Sequence, residues 1–202
     1  MTLPASDWIS RWQRVARRIR VPLGFATAAL YLFELWRHQP RLPAVAWSLA
    51  LVVPGLWLRA YASGYVKKNQ ELTVTGPYRH VRNPLYLGSI LIAAGFAVAL
   101  GSWAFAAALA TMFIAIYVPV IASEERFLRA TFPGFQDYCR QVPRLIPRIA
   151  PARFPAPGHG SRFFFSLYLK HREYNALLGA ILLYLSLFIL RPALSLVLHG
   201  RP

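Results

Sequence analysis

Residues 84–123 read PLYLGSILIAAGFAVALGSWAFAAALATMFIAIYVPVIAS, a run with no Asp, Glu, Lys, Arg or His. A helix on the surface of a soluble protein carries a polar face, whereas a helix that is apolar all round is buried in a large core or in lipid. Crossing the hydrocarbon takes about 20 apolar residues. The run therefore divides at Gly101-Ser102 into two expected spans, Leu85–Leu100 and Trp103–Ser123. The first is the shorter and becomes adequate with tilt or a turn from its flank. A two-residue connection permits only a tight antiparallel hairpin, so the polar segments at its outer ends, Gly76–Asn83 and Glu124–Arg129, are expected at one level of the membrane.

The rest of the chain points to the same solvent. Its 202 residues are 56% apolar with a mean hydropathy of +0.39, too apolar for a soluble domain of this size. Further apolar runs lie at Val21–Trp36, Ala44–Gly64 and Tyr174–Leu190, giving an all-α polytopic protein of about five transmembrane helices. Pro54 and Pro119 fall inside spans, where each removes a backbone donor and predicts a kink. Before the first span, Trp8, Trp12, Val15 and Ile19 share one helical face and Arg11, Arg14, Arg17 and Arg18 the other. Residues 1–20 thus read as an amphipathic interfacial helix on an anionic leaflet. An Arg-rich start also fits an organelle presequence, less well because a span follows at once. Residues 21–148 form the membrane core. Residues 149–202 hold a Pro/Gly/Ala-rich linker, IAPARFPAPGHGS, then an interfacial stretch opened by Phe163–Phe165, then the last span.

Lys and Arg number 23 against 7 Asp and Glu, a net charge of +16. Such a balance also suits nucleic acid, but here the basic residues cluster between apolar runs instead of alternating with aromatics on a polar surface. With the N-terminus inside, 19 basic residues fall on the inner side and 4 outside, the four being Arg37, Arg41, Arg191 and Arg201. Both polar blocks beside the hairpin then face the cytoplasm. No nucleic-acid partner is expected. Cys139 is the single cysteine, the five histidines are scattered, and neither CxxC nor HExxH occurs, so no disulfide within the chain and no metal are expected.

Arginines at the edge of hydrocarbon either anchor a helix end at the headgroups or bind something. The second reading gains weight from Gly76–Gly88, GPYRHVRNPLYLG, which resembles the signature of the isoprenylcysteine carboxyl methyltransferase family, GPYRxxRHPxYxG. Glu124–Arg129, followed by FPGFQDYCRQVPRLIPR, resembles that family's second block. The two cover about Gly76 to Arg148, and Asn83 stands where the family has histidine. The resemblance implies a membrane methyltransferase using S-adenosylmethionine. It places Tyr78, Arg79, His80, Val81, Arg82, Asn83, Pro84, Tyr86, Leu87, Gly88, Glu124 and Glu125 at the cofactor, with Arg82, Glu124 and Glu125 central to catalysis.

The chemistry of that donor suits these residue types. Its ammonium needs a carboxylate, its carboxylate needs donors, and its adenine needs an aromatic or apolar slot. Alternatives stay open at several positions. Tyr78 and Tyr86 fit adenine stacking or an interfacial belt. Glu125 and Arg129 form a favourable i,i+4 pair, and adjacent glutamates point about 100° apart, so one of Glu124 and Glu125 is expected to face the site. Glu34 fits an ion pair with Arg37 or His38 at the outer edge. Arg144, Phe127 and Phe132 are candidates for the acceptor, with Arg144 equally suited to lipid phosphate. Gly88 and Gly95 fit close helix packing.

The expected acceptor is lipid-like, a prenylated cysteine carboxylate by resemblance, reached from the bilayer. A phospholipid amine and a small thiol are the nearest alternatives. A sterol-type membrane reductase using a nicotinamide cofactor is a second enzyme class, and a non-catalytic membrane scaffold a third.

Overall fold

Gly101 takes φ +66°, in the left-handed region that glycine occupies without strain, and its N–H reaches the carbonyls of both Ala97 and Val98. The Ser102 hydroxyl then accepts the N–H of Phe105 at 3.2 Å, capping the next helix. One helix is closed and the next opened within two residues, which makes the expected hairpin.

The computed structural model describes residues 25–38, 41–67, 71–154 and 162–199, with side chains in the last helix as far as Ile189. Helix α1 covers 25–37, α2 Leu42–Ser63, α3 Pro84–Leu100 and α4 Trp103–Thr131. Two short helices, α5 (Phe135–Gln141) and α6 (Phe165–Lys170), precede α7 (Tyr174–His199). Among the described residues there is no strand. The expected amphipathic helix at 1–20 lies outside them.

By length and composition α2 and α4 suffice to cross a membrane, while α3 and residues 174–189 of α7 are apolar but shorter. Their outward faces carry the residues lipid would solvate: Trp47, Val53 and Trp57 on α2, Trp103 and Ile114 on α4, Leu182 and Phe188 on α7. Both α2 and α4 run on through Pro54 and Pro119. The α4 helix also continues two turns past Ser123, because EERFLRAT is helix-compatible and the chain is stopped only by Pro133-Gly134.

Helices α2 and α3 approach backbone to backbone. A Cβ on Gly88 would come within 2.7 Å of the Gly55 carbonyl, and one on Gly95 within 2.9 Å of that of Ser48. Around the hairpin turn Tyr31, Leu35, Val45, Leu100, Phe105 and Leu187 form one core. At the opposite end a second core of Val74, Phe135, Tyr138, Val142 and Ala152 packs beneath the polar blocks. Phe132 packs against this second core. Glu34 and His38 pair at 3.0 Å, as their spacing predicted.

The tail folds back as a strap. The Phe164 N–H donates to the Gly64 carbonyl at 2.9 Å, and the Phe163 ring lies over Gly64 and parallel to Tyr61, 6.3 Å between centroids. Farther along, His171 Nδ1 lies 3.2 Å from the Ser63 carbonyl, before α7 begins.

Candidate active site

Gly76 opens the first block with φ +57° and lies against the ring of Tyr65, leaving no room for a Cβ. A single 3-10 turn, Gly76–Arg79, follows with Pro77 near its start. Pro84 then starts α3. Within this turn Tyr78 is buried, and its carbonyl accepts the Tyr138 hydroxyl at 2.8 Å. Burial pushes both phenols well above the ordinary tyrosine range, with Arg82 partly opposing the rise at Tyr138. Both therefore stay neutral at physiological pH.

The chain from Pro143 to Ala152 runs back along this turn and is tied to it through the backbone. Arg82 N–H donates to Pro143, Arg148 N–H to His80 and Ala152 N–H to Arg79, at 2.9, 3.0 and 3.0 Å. His80 Nδ1 lies 2.9 Å from the Arg148 carbonyl, and Asn83 Nδ2 donates to the Arg144 carbonyl. The two blocks thus form one piece. His80 serves as its clasp, a role that depends on a segment nearly seventy positions later.

Adjacent glutamates on α4 end up in different electrostatic states. Glu125 is buried, 3.4 Å from Arg82 Nη1, and takes two hydrogen bonds from the Arg144 guanidinium, one from Nε at 3.1 Å and one from Nη2. Those hydrogen bonds push the Arg144 guanidinium above the ordinary arginine range. The expected i,i+4 partnership with Arg129 gives way to this bridge. Glu124 is exposed and accepts the Tyr86 hydroxyl at 3.0 Å, with no cation in ion-pair range among the described residues. Tyr86 packs edge-on against Tyr117, which stacks on Phe113 at 4.4 Å.

These groups enclose a cavity of about 510 Å3, within the ordinary range for small-molecule sites. Of the residues expected at the site, Tyr78, Arg82, Asn83, Pro84, Tyr86, Glu124, Glu125 and Phe127 line it. Arg79, His80, Val81, Leu87, Gly88, Phe132 and Arg144 do not. Gly88 instead faces α2, and Arg144 acts on the wall through Glu125. Both glutamates reach the cavity, because α4 carries them beyond the apolar run with the cavity spanning the angle between them.

Sequence reasoning missed Arg59 and Glu173. They lie on the same wall as a two-point ion pair, Nε and Nη2 of Arg59 to Glu173 Oε2 at 3.0 and 2.7 Å. Arg59 carries no motif to set it apart from the other inner-side basic residues, and Glu173 lies in a tail without a motif. The one available signal was an arginine placed inside the apolar run Ala44–Gly64.

S-adenosylmethionine fits what this wall leaves over. Among the described residues Arg82 Nε is buried without a hydrogen-bond partner, as is the Thr73 hydroxyl on the same wall, and both can serve a ligand carboxylate. Glu124 offers a carboxylate to an ammonium. Tyr78, Tyr86, Tyr117 and Phe127 supply aromatic surface. Among the described residues no group of three or more His, Cys, Asp and Glu gathers as a metal site.

Residues 45–134 match the phospholipid methyltransferase family, within the isoprenylcysteine carboxyl methyltransferase-like group of membrane methyltransferases. The resemblance first drawn from the two blocks therefore stands over that segment. A cobalt-zinc-cadmium resistance protein of Cupriavidus metallidurans is 40% identical over 95 residues, 47% of this chain and 43% of that protein. A nickel-cobalt-cadmium resistance protein of Alcaligenes xylosoxydans xylosoxydans is likewise 40% identical over 95 residues, 47% of this chain and 44% of its own length. The similarity thus spans less than half of either relative. No solved structure matches.

Proposed function

We propose that this protein transfers a methyl group from S-adenosylmethionine to a lipid-like acceptor at the cytoplasmic face of a membrane, with a carboxylate oxygen as the receiving atom. The observation that carries this reading is the set of groups left over on the cavity wall. Among the described residues Glu124 is a carboxylate without a cation, Arg82 Nε and Thr73 Oγ1 are buried without partners, and aromatic rings lie beside them. Bound S-adenosylmethionine supplies a methyl group activated by a sulfonium.

The chain's own residues bind and orient. Glu124 takes the ammonium, while Arg82 Nε and Thr73 take the carboxylate. Arg144 and Arg82 hold Glu125 in place, so that Arg82 keeps one direction. Transfer to a carboxylate is an in-line displacement that needs no base, and orientation with exclusion of water supplies the acceleration. The match to phospholipid methyltransferases favours a second reading, with an amine as acceptor. In that case the amine's proton goes to a carboxylate of the wall. His80 is unsuited, being off the cavity with its Nδ1 beside the Arg148 carbonyl.

Titrating the purified protein with S-adenosylhomocysteine and with a reduced nicotinamide cofactor tests the class, and binding of the first alone is expected. Binding of the second alone would replace this reading with a sterol-type reductase, and binding of neither would leave a scaffold. Supplying a labelled methyl donor with a prenylated cysteine or with phosphatidylethanolamine then separates the two acceptors.

A further inference from the structure

A second cavity, of about 470 Å3, lies among α1, α3, α4 and α7. Its wall is largely apolar, with Ala28, Ile92, Phe96, Leu109 and Leu183 representative, and it shares Arg59 and Ser89 with the polar cavity. The Arg59 side chain therefore stands at the junction of a charged compartment and a greasy one. Its Nε and Nη2 hold Glu173, and its Nη1 donates to the Ser89 hydroxyl and to the Leu85 carbonyl at 3.3 Å. Among the described residues Glu173 is thus the one charged partner, and both members of the pair are mostly covered, at 23% and 11% exposure.

Glu173 arrives from the turn between α6 and α7. The preceding residue, Arg172, has φ 54°, a left-handed conformation that strains a residue bearing a Cβ. A carboxylate set on a turn adjusts more readily than one fixed in the body of a helix.

We propose that Arg59 receives the anionic head of an amphiphilic acceptor whose chain occupies the second cavity, and that Glu173 is the positioning residue that holds Arg59 at the junction until that head replaces it. This rests on the methyltransferase reading and extends it to the choice of acceptor. Exchanging one oxyanion for another keeps the guanidinium paired throughout, which matters because a covered charge left alone is costly. A neutral head offers no such exchange, so selectivity for an anion follows. Glu173 lines the polar cavity and is rehydrated there once displaced.

The test uses the full chain in phosphatidylcholine nanodiscs, with a fluorescent long-chain alkyl sulfonate as probe. The competitors are the unlabelled long-chain sulfonate, its matched alcohol and a short-chain sulfonate. The parent protein is expected to prefer the long sulfonate to both others. Glu173→Gln removes the competing anion and should tighten the long sulfonate about ten-fold with the alcohol unchanged, and Arg59→Gln should erase the preference for sulfonate over alcohol. An unchanged sulfonate affinity in Glu173→Gln, a preserved preference in Arg59→Gln, or equal binding of short and long sulfonates would each overturn the proposal. Titration of the same samples with S-adenosylhomocysteine verifies the fold of the variants. If the parent fails to bind that ligand the methyltransferase reading falls, while the sulfonate comparison still decides the role of Arg59.

Discussion

Glu124 and Glu125 are one peptide bond apart, yet removing each charge should have a different effect. Glu125 compensates Arg82 in a mostly buried pair and Arg144 in a half-exposed one. Glu125→Gln leaves Arg82 under-compensated, and stripping one partner from such a pair costs about 3–5 kcal/mol. Thermal unfolding in detergent should show this loss directly, before any effect on ligand. Glu124 is exposed and, among the described residues, tied only by the Tyr86 hydroxyl. Glu124→Gln should leave unfolding nearly unchanged and weaken S-adenosylhomocysteine, since a charge-assisted hydrogen bond contributes about 1.5–3 kcal/mol, roughly ten- to a hundred-fold in affinity. Equal thermal losses in the two variants would remove the distinction drawn between them.

At the scale of elements, the site depends on how closely α2 and α3 approach. A Cβ on Gly88 meets the Gly55 carbonyl at 2.7 Å and Arg59 Cγ at 2.6 Å, and the first of these is backbone and cannot swing aside. Gly88→Ala should therefore force the helices apart, at about 1–3 kcal/mol for overpacking. It should also disturb Arg59, and with it the junction of the two cavities. Ser102→Ala, at the other end of the same hairpin, removes a cap and should cost about 1 kcal/mol. It leaves the polar wall untouched, so S-adenosylhomocysteine affinity should fall in Gly88→Ala and hold in Ser102→Ala. The reverse order would mean that the spacing of α2 and α3 does not govern the cavity.

For the molecule as a whole, the distribution of basic residues, 19 against 4, predicts its direction in the membrane. Single cysteines introduced at Gln136 and at Gly101, in a Cys139→Ala background, should react only from the cytoplasmic side and only from the opposite side respectively. Reversed labelling would move the cavity to the other face. The hairpin, and with it the placing of the two blocks at one end, was legible because uncharged runs and a Gly-Ser break are local signals. The pairing of Glu173 with Arg59 was not, since the two lie 114 positions apart and neither sits in a motif. The division of labour between Glu124 and Glu125 was hidden for a related reason: it depends on Arg144, brought in by a segment that doubles back along Gly76–Arg79. That same separation of Arg59 from Glu173 orders events during synthesis. Arg59 is translated more than a hundred residues before Glu173, the carboxylate that pairs with it in the finished fold. Until the strap is made, the Arg59 guanidinium therefore lacks the carboxylate that holds it in the completed structure.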